Sequence, residues 1–195
     1  PLASSSAASD VYKRQTVIVE KIVGSLAETG CSLKECKILG DKVNRNSGSM
    51  GVAFSSCTVP AAGKPTFKLG PDEMEFGVGI HGEPGRRRDK VQPAQEITNE
   101  LLGAIIEDLK PEDNDEILLF VNGMGGTPLT ELYLLYQNAK KTLDNKNILV
   151  SRSLVGNYCT SLEMQGASIT LTKLDKELKK HWDSPVHTAA MRWGL

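Results

Sequence analysis

Apolar residues recur at helical spacing from Thr16 onward. Val17, Ile18, Ile22, Leu26 and Ala27 share one face, and Gly30 is a natural stop. Ser32 and Glu35 then form a capping-box pattern, and Leu33, Cys36, Leu39 and Val43 follow at helical spacing. Residues 44–51 read as a turn-rich break, and 52–59 as a strand ended by Pro60. Residues 61–65 are a loop and 66–69 a short strand. Residues 74–80 are a second strand candidate that runs straight into His81, and 82–85 must be a loop.

The second half alternates more plainly. Ile97, Leu101, Leu102, Ile105, Ile106 and Leu109 outline an amphipathic helix. Residues 116–121 read as a strand whose apolar run, unbroken after Glu116, is that expected of a strand covered on both faces. A glycine-rich turn at 122–127 follows, with Pro128 at the first position of a helix carrying Leu129, Leu132, Leu135, Tyr136 and Ala139. Residues 147–150 and 168–172 read as strands, and 176–182 as a last short helix. Strands alternating with helices predict an α/β fold, a layered sheet with flanking helices, over residues 16–195. Residues 1–15 are small and polar without periodicity, and are expected to be a disordered or non-native leader.

Composition removes several classes. A net charge of −1 gives no general electrostatic case for binding nucleic acid or an anionic membrane. No apolar run approaches the ~18 residues of a membrane span, and no signal peptide is evident. Cys31, Cys36, Cys57 and Cys159 fit neither a disulfide framework nor a metal-binding pair, so they read as reduced thiols of a cytoplasmic protein.

The densest chemical signal is Gly77-Val-Gly-Ile-His-Gly-Glu-Pro-Gly85. Its glycines permit tight backbone and close approach of a ligand. A histidine leaving a strand into such a loop stands where α/β proteins usually bind ligands; the bland alternative is a surface histidine with no role. His81 and Glu83 match half of a zinc deaminase signature, but the cysteine half is missing, and no metal is expected. No recognisable nucleophile elbow pairs with the histidine for a hydrolytic triad, and Cys57 suits core packing better than nucleophilic work. Asn122, Gly123, Gly125, Gly126 and Thr127 form a strand-to-helix turn. Its backbone N–H groups suit either an anion or nothing beyond a tight turn. Arg86, Arg87 and Arg88 either steer an anionic partner or form a solvated face, and Asp72, Glu73 and Glu75 read as solvated neighbours.

Several longer segments point one way. These are Cys57-Thr-Val-Pro-Ala-Ala-Gly-Lys-Pro65, Met74-Glu-Phe-Gly-Val-Gly-Ile-His-Gly-Glu-Pro-Gly85, Val121-Asn-Gly-Met-Gly-Gly-Thr-Pro-Leu129, Glu131-Leu-Tyr133 and Pro185-Val-His-Thr188. In this order the chain, from about Thr16 to its end, resembles the substrate-binding subunit or domain of dihydroxyacetone (glycerone) kinases. The resemblance implies the second α/β domain of that subunit. It implies that His81 attacks the ketone carbon of dihydroxyacetone and holds it as a hemiaminal for phosphorylation to dihydroxyacetone phosphate, with Gly79, Gly82 and Gly85 shaping its loop. It implies that the chain itself binds no cofactor. ADP or ATP with magnesium would sit on a helical kinase subunit or domain, recharged in one type through a phosphoenolpyruvate-linked phosphotransferase relay. A homodimer is expected as well. Nothing in the chain matches the family's first domain, which supplies an aspartate general base and a further histidine. The expectation is therefore a truncated product, inactive alone. The alternative is a non-catalytic dihydroxyacetone-binding coactivator.

Overall fold

The computed structural model describes residues 15–79 and 85–194. The expectations for a leader over residues 1–15, for His81 and for Gly82 thus fall outside the described residues, except at Gln15. The elements run α1 (Thr16–Ala27), α2 (Leu33–Arg45), β1 (Ser47–Ala53), β2 (Thr58–Val59), β3 (Lys64–Pro65), β4 (Glu73–Phe76), β5 (Arg87–Lys90), α3 (Ala94–Leu109), β6 (Glu116–Gly123), α4 (Leu129–Asp144), β7 (Leu149–Gly156), β8 (Gly166–Lys173), α5 (Lys176–Asp183), β9 (Val186–His187) and β10 (Arg192–Trp193).

Six strands form the central sheet in the order β5-β4-β1-β8-β6-β7. β6 and β7, joined through α4, pair in parallel, and every other pairing is antiparallel. The apolar run in β6 decides the layering. Ile117, Leu119 and Val121 point into a core shared with α3 and α4, while Leu118 and Phe120 point into a second core built from α1, α2 and α5. All five are fully buried, each worth about 1.5–3 kcal/mol of transfer free energy. A strand with apolar residues on both faces cannot sit at a solvent-facing edge, so helices must cover both sides.

The predicted layered sheet with flanking helices is thus the architecture observed, with several boundaries moved. Residues 44–51 are not a break. α2 runs to Arg45, only Asn46 intervenes, and β1 starts at Ser47. The segment looked turn-like because its second face is built of hydroxyls. Ser47 Oγ lies 2.8 Å from Thr172 Oγ1 and Ser49 Oγ 2.6 Å from Thr170 Oγ1, cross-strand pairs on β8. Such pairs stabilise a ladder without apolar bulk. Met50 and Val52 supply the bulk on the α3 side.

The expected strand at 52–59 ends at Ala53. Thr58–Val59 instead makes a small hairpin with Lys64–Pro65. Residues 66–69 form no strand, because Ser56 Oγ takes the N–H groups of Thr66 (3.0 Å) and Phe67 (3.2 Å). Pro128 precedes α4 as its cap rather than occupying its first position, and its carbonyl accepts from Glu131 and Leu132. The Ser32–Glu35 capping box forms as expected. Arg87 and Arg88 of the arginine run lie in the edge strand β5, where charged side chains discourage further strand pairing.

The last helix is tied down from α1. Lys21 is buried, and its Nζ donates to the carbonyls of His181 (3.2 Å) and Ser184 (2.7 Å) at the end of α5. Burial pushes its pKa down, and the charge of Asp183 opposes that shift. A cation at this end also complements the helix dipole. Residues 185–188 continue into β9, which pairs with β10.

Candidate ligand-binding site

The segment that carries His81 is held at both of its described ends. β4 leaves the sheet at Gly77, whose N–H still donates to the Gly51 carbonyl at 2.7 Å and whose φ of +77° lies where glycine alone is unstrained. The chain re-enters at Arg86, whose N–H donates to the Phe76 carbonyl at 2.7 Å. Gly85 lies so close to the strand that a Cβ there would stand 2.3 Å from the Phe76 carbonyl oxygen and 2.6 Å from Glu75 Cγ. Only glycine fits.

Glu75 organises this junction. Its side chain is almost fully buried, Oε1 accepts from the Gly85 N–H at 2.6 Å, and Oε2 meets Arg88 Nε at 3.2 Å. A buried carboxylate must be paired and hydrogen-bonded to be tolerated, and here it gains both from the loop foot and the next strand. Arg87, on the other face of β5, lies 5.0 Å over the Phe76 ring and pairs with Glu100. Glu75 was read in the sequence as solvated, and Arg88 as part of a run that either steers an anionic partner or forms a solvated face. The signal was the strand alternation itself, which places Glu75 on the opposite face from Met74 and Phe76. In a sheet covered on both faces, that position is buried too.

Past Gly77 the chain enters a small apolar cluster. Val78 is fully buried together with Ala53, Cys57, Met124 and Met164. Gly79 is buried directly after it. This cluster joins the approach to His81 to the glycine-rich turn after β6, so two segments singled out from the sequence converge. Cys57 is a core residue, 2% exposed, as its place suggested.

The glycine-rich turn is a framework in its own right. Asn122 is fully buried. Its Oδ1 accepts from the N–H groups of Tyr158 (3.0 Å) and Cys159 (2.8 Å), and its Nδ2 donates to the Cys159 carbonyl (2.8 Å). Thr127 Oγ1 donates to the Gly166 carbonyl and accepts from the Gly166 N–H, both at 2.8 Å. The N–H groups of Met124, Gly125 and Gly126 donate to Gly166 O, Asn157 Oδ1 and Met164 O. Gly123 has Leu132 and Asn157 pressed against it. The anion-cradle reading of 122–127 is corrected at these three donors, which bind the protein's own acceptors. The side chains of Asn122 and Thr127 serve the turn likewise.

Among the described residues, no group of three or more His, Cys, Asp or Glu is placed to hold a metal ion. No helix among them is long and apolar enough to cross a membrane.

Comparison with known proteins agrees with this architecture. Residues 8–190 match the Dak1 domain, and the chain belongs to the Dak1 domain family. The chain is 41% identical over 203 residues to the dihydroxyacetone-binding subunit DhaK of the PEP-dependent dihydroxyacetone kinase of Escherichia coli, covering 92% of this chain and 57% of that protein. It is 47% identical over 162 residues to the corresponding subunit of PTS-dependent dihydroxyacetone kinase 1 of Listeria innocua, covering 83% of this chain and 49% of the relative. A solved structure, the dihydroxyacetone kinase operon co-activator Dha-DhaQ, superposes with a TM-score of 0.82 at 32% identity, over 93% of this chain and 58% of that one. The chain spans about half the length of the curated relatives it matches.

Proposed function

We propose that this chain carries the substrate-holding part of a dihydroxyacetone kinase, with His81 as the covalent anchor. The observation that carries the reading is the clamp on the two ends of the His81 segment, Gly77 to Gly51 and Gly85 to buried Glu75. It fixes the two described ends of the segment that carries His81, in a chain with 41–47% identity to dihydroxyacetone-binding subunits. Gly79 and Gly82 shape the approach, and the 122–127 turn supports that approach through the Val78–Met124 cluster.

The chemistry needs little else from this chain. An imidazole nitrogen attacks the ketone carbon, a carbon–nitrogen bond forms, the ketone oxygen takes up a proton and the ring gives one up. The nitrogen then has no second proton to lose, so the adduct stops at the hemiaminal. Only a carbonyl compound is captured, which excludes glycerol. The anchor also holds the terminal hydroxyl for phosphoryl transfer and lowers the entropic cost of alignment. In this reading ADP or ATP with magnesium belongs to a separate helical subunit or domain, and turnover belongs to the complete assembly. The site is cytoplasmic and the subunit homodimeric.

The test is a segment swap, in which the matching part of the Escherichia coli subunit is replaced by this chain. By native mass spectrometry the swapped subunit should gain the mass of one dihydroxyacetone, and its His81→Ala variant should gain none. Equal uptake by both would overturn the anchor. The superposition on a co-activator favours a second reading, a dihydroxyacetone-binding regulator. Formation of dihydroxyacetone phosphate when the swapped subunit is mixed with a nucleotide-loaded kinase subunit selects the enzyme; covalent uptake without turnover selects the regulator.

A further inference from the structure

We infer that Cys31 and Cys36 form a reversible disulfide, oxidised by small-molecule disulfides such as oxidised glutathione. The two sulfurs lie 3.1 Å apart. The reason is local. Ser32 is the N-cap of α2, held by a complete capping box: its Oγ accepts from Glu35 N, and Glu35 Oε2 accepts from Ser32 N at 2.7 Å. Cys31 is the residue before the cap and Cys36 the fourth residue of the helix. These two positions often carry an apolar pair that packs across the helix start. Here the pair is two thiols, so a contact that ordinarily only packs is also able to react.

A disulfide needs its sulfurs about 2 Å apart, so these must close by about 1 Å. Cys31 lies outside the helix and follows Gly30 at φ +78°, with nothing near that glycine's Cβ position, so its backbone has room to give. Access is open as well. Both thiols are half-buried, and Leu33 beside them is 86% exposed, whereas Cys57 is sealed in the core. The hydrogen bond with the Cys36 sulfur, followed by loss of hydration, raises the Cys31 thiol above its ordinary value. Cys36 is held on α2 while Cys31 lies outside it with room to move, so Cys36 is assigned the first attack and Cys31 the closing one. Its thiolate displaces one thiolate from the small disulfide and becomes a mixed disulfide. Cys31 then gives its proton to solvent and attacks Cys36 Sγ, releasing the second thiolate. The protein loses two hydrogens and the small disulfide becomes two thiols. A dithiol reductant reverses the exchange, as suits a transient disulfide in a reducing compartment.

Incubation of the protein with oxidised glutathione, acid quenching, alkylation and non-reducing trypsin digestion tests this. Lys34 lies between the two cysteines, so cleavage there separates them unless a disulfide joins the fragments. The expected product is the joined pair of fragments, with Cys57 alkylated only after unfolding. Cys31→Ser should instead accumulate a stable mixed disulfide at Cys36 that the unaltered protein does not retain. Melting of the oxidised protein should rise by a few degrees relative to the reduced form, and Cys31→Ser should abolish the rise. Separate alkylated fragments from the unaltered protein in equilibrated glutathione would overturn the inference. So would equal mixed-disulfide content in the two proteins.

Discussion

The turn after β6 and the segment around residues 80–84 are both rich in glycine, yet they are held in different ways. In the first, buried side chains and backbone donors close on one another: Asn122 grips Tyr158 and Cys159, and Thr127 grips Gly166 twice. In the second, the grip falls on the two described ends, through Gly77, Gly85 and Glu75. The difference separates two uses of glycine. One lets elements pack tightly where a strand turns into a helix. The other lets a stretch of chain leave a sheet and return almost to the same point, which suits the presentation of a reactive side chain.

The largest expected effect of breaking the comparison is on the framework. Asn122→Ala removes a fully buried side chain that serves two part-buried N–H groups and a carbonyl, and should lower stability by about 1–3 kcal/mol, read as a reduced urea midpoint. The fraction that remains folded should still take up dihydroxyacetone in the segment-swapped subunit. Gly85→Ala should behave in the opposite way. Its Cβ meets the Phe76 carbonyl, so a loss of about 1–3 kcal/mol is expected, and covalent uptake should fall more than stability does. Uptake lost equally in the two variants would remove the distinction between framework and presenting loop.

The smallest effect is a pH dependence on the framework side. Hydrogen bonds from its own N–H and from Thr58 hold the Glu163 carboxyl below its ordinary value of 4.5. A depressed carboxylate contributes stability above its unfolded pKa and loses it as pH falls through the lower folded value. The Thr58 amide should therefore stay protected from hydrogen exchange at neutral pH and lose protection only as pH falls below the ordinary carboxylate range. In Glu163→Gln, which keeps an acceptor but no charge, this step should disappear.

Much of the fold was legible because β6 carries its evidence in five adjacent residues. The run of Ile117, Leu118, Leu119, Phe120 and Val121 has no polar break and so demands cover on both faces. The caps and stops around α2 were legible for the same local reason. β1 was not, since Ser47 and Ser49 become strand residues only when Thr170 and Thr172 lie opposite them. That pairing spans more than a hundred residues and leaves no trace in the local pattern. β5 hid in the same way, as Arg87 and Arg88 reveal a strand only once Phe76 and Glu75 are beside them. Of the site, the histidine and its glycines stood out by composition. The carboxylate that clamps the loop foot did not, because a glutamate between two apolar residues reads as outward-facing until the second face of the sheet is known to be covered.

The most direct test of the account is a magnetic resonance spectrum of the segment-swapped subunit, with an isotope label on the dihydroxyacetone ketone carbon and another on the histidine ring nitrogens. The prediction is a tetrahedral carbon signal split by one-bond coupling to a ring nitrogen, absent in His81→Ala. A bound ligand whose labelled carbon shows no coupling to nitrogen, or the same coupling after His81→Ala, would contradict it.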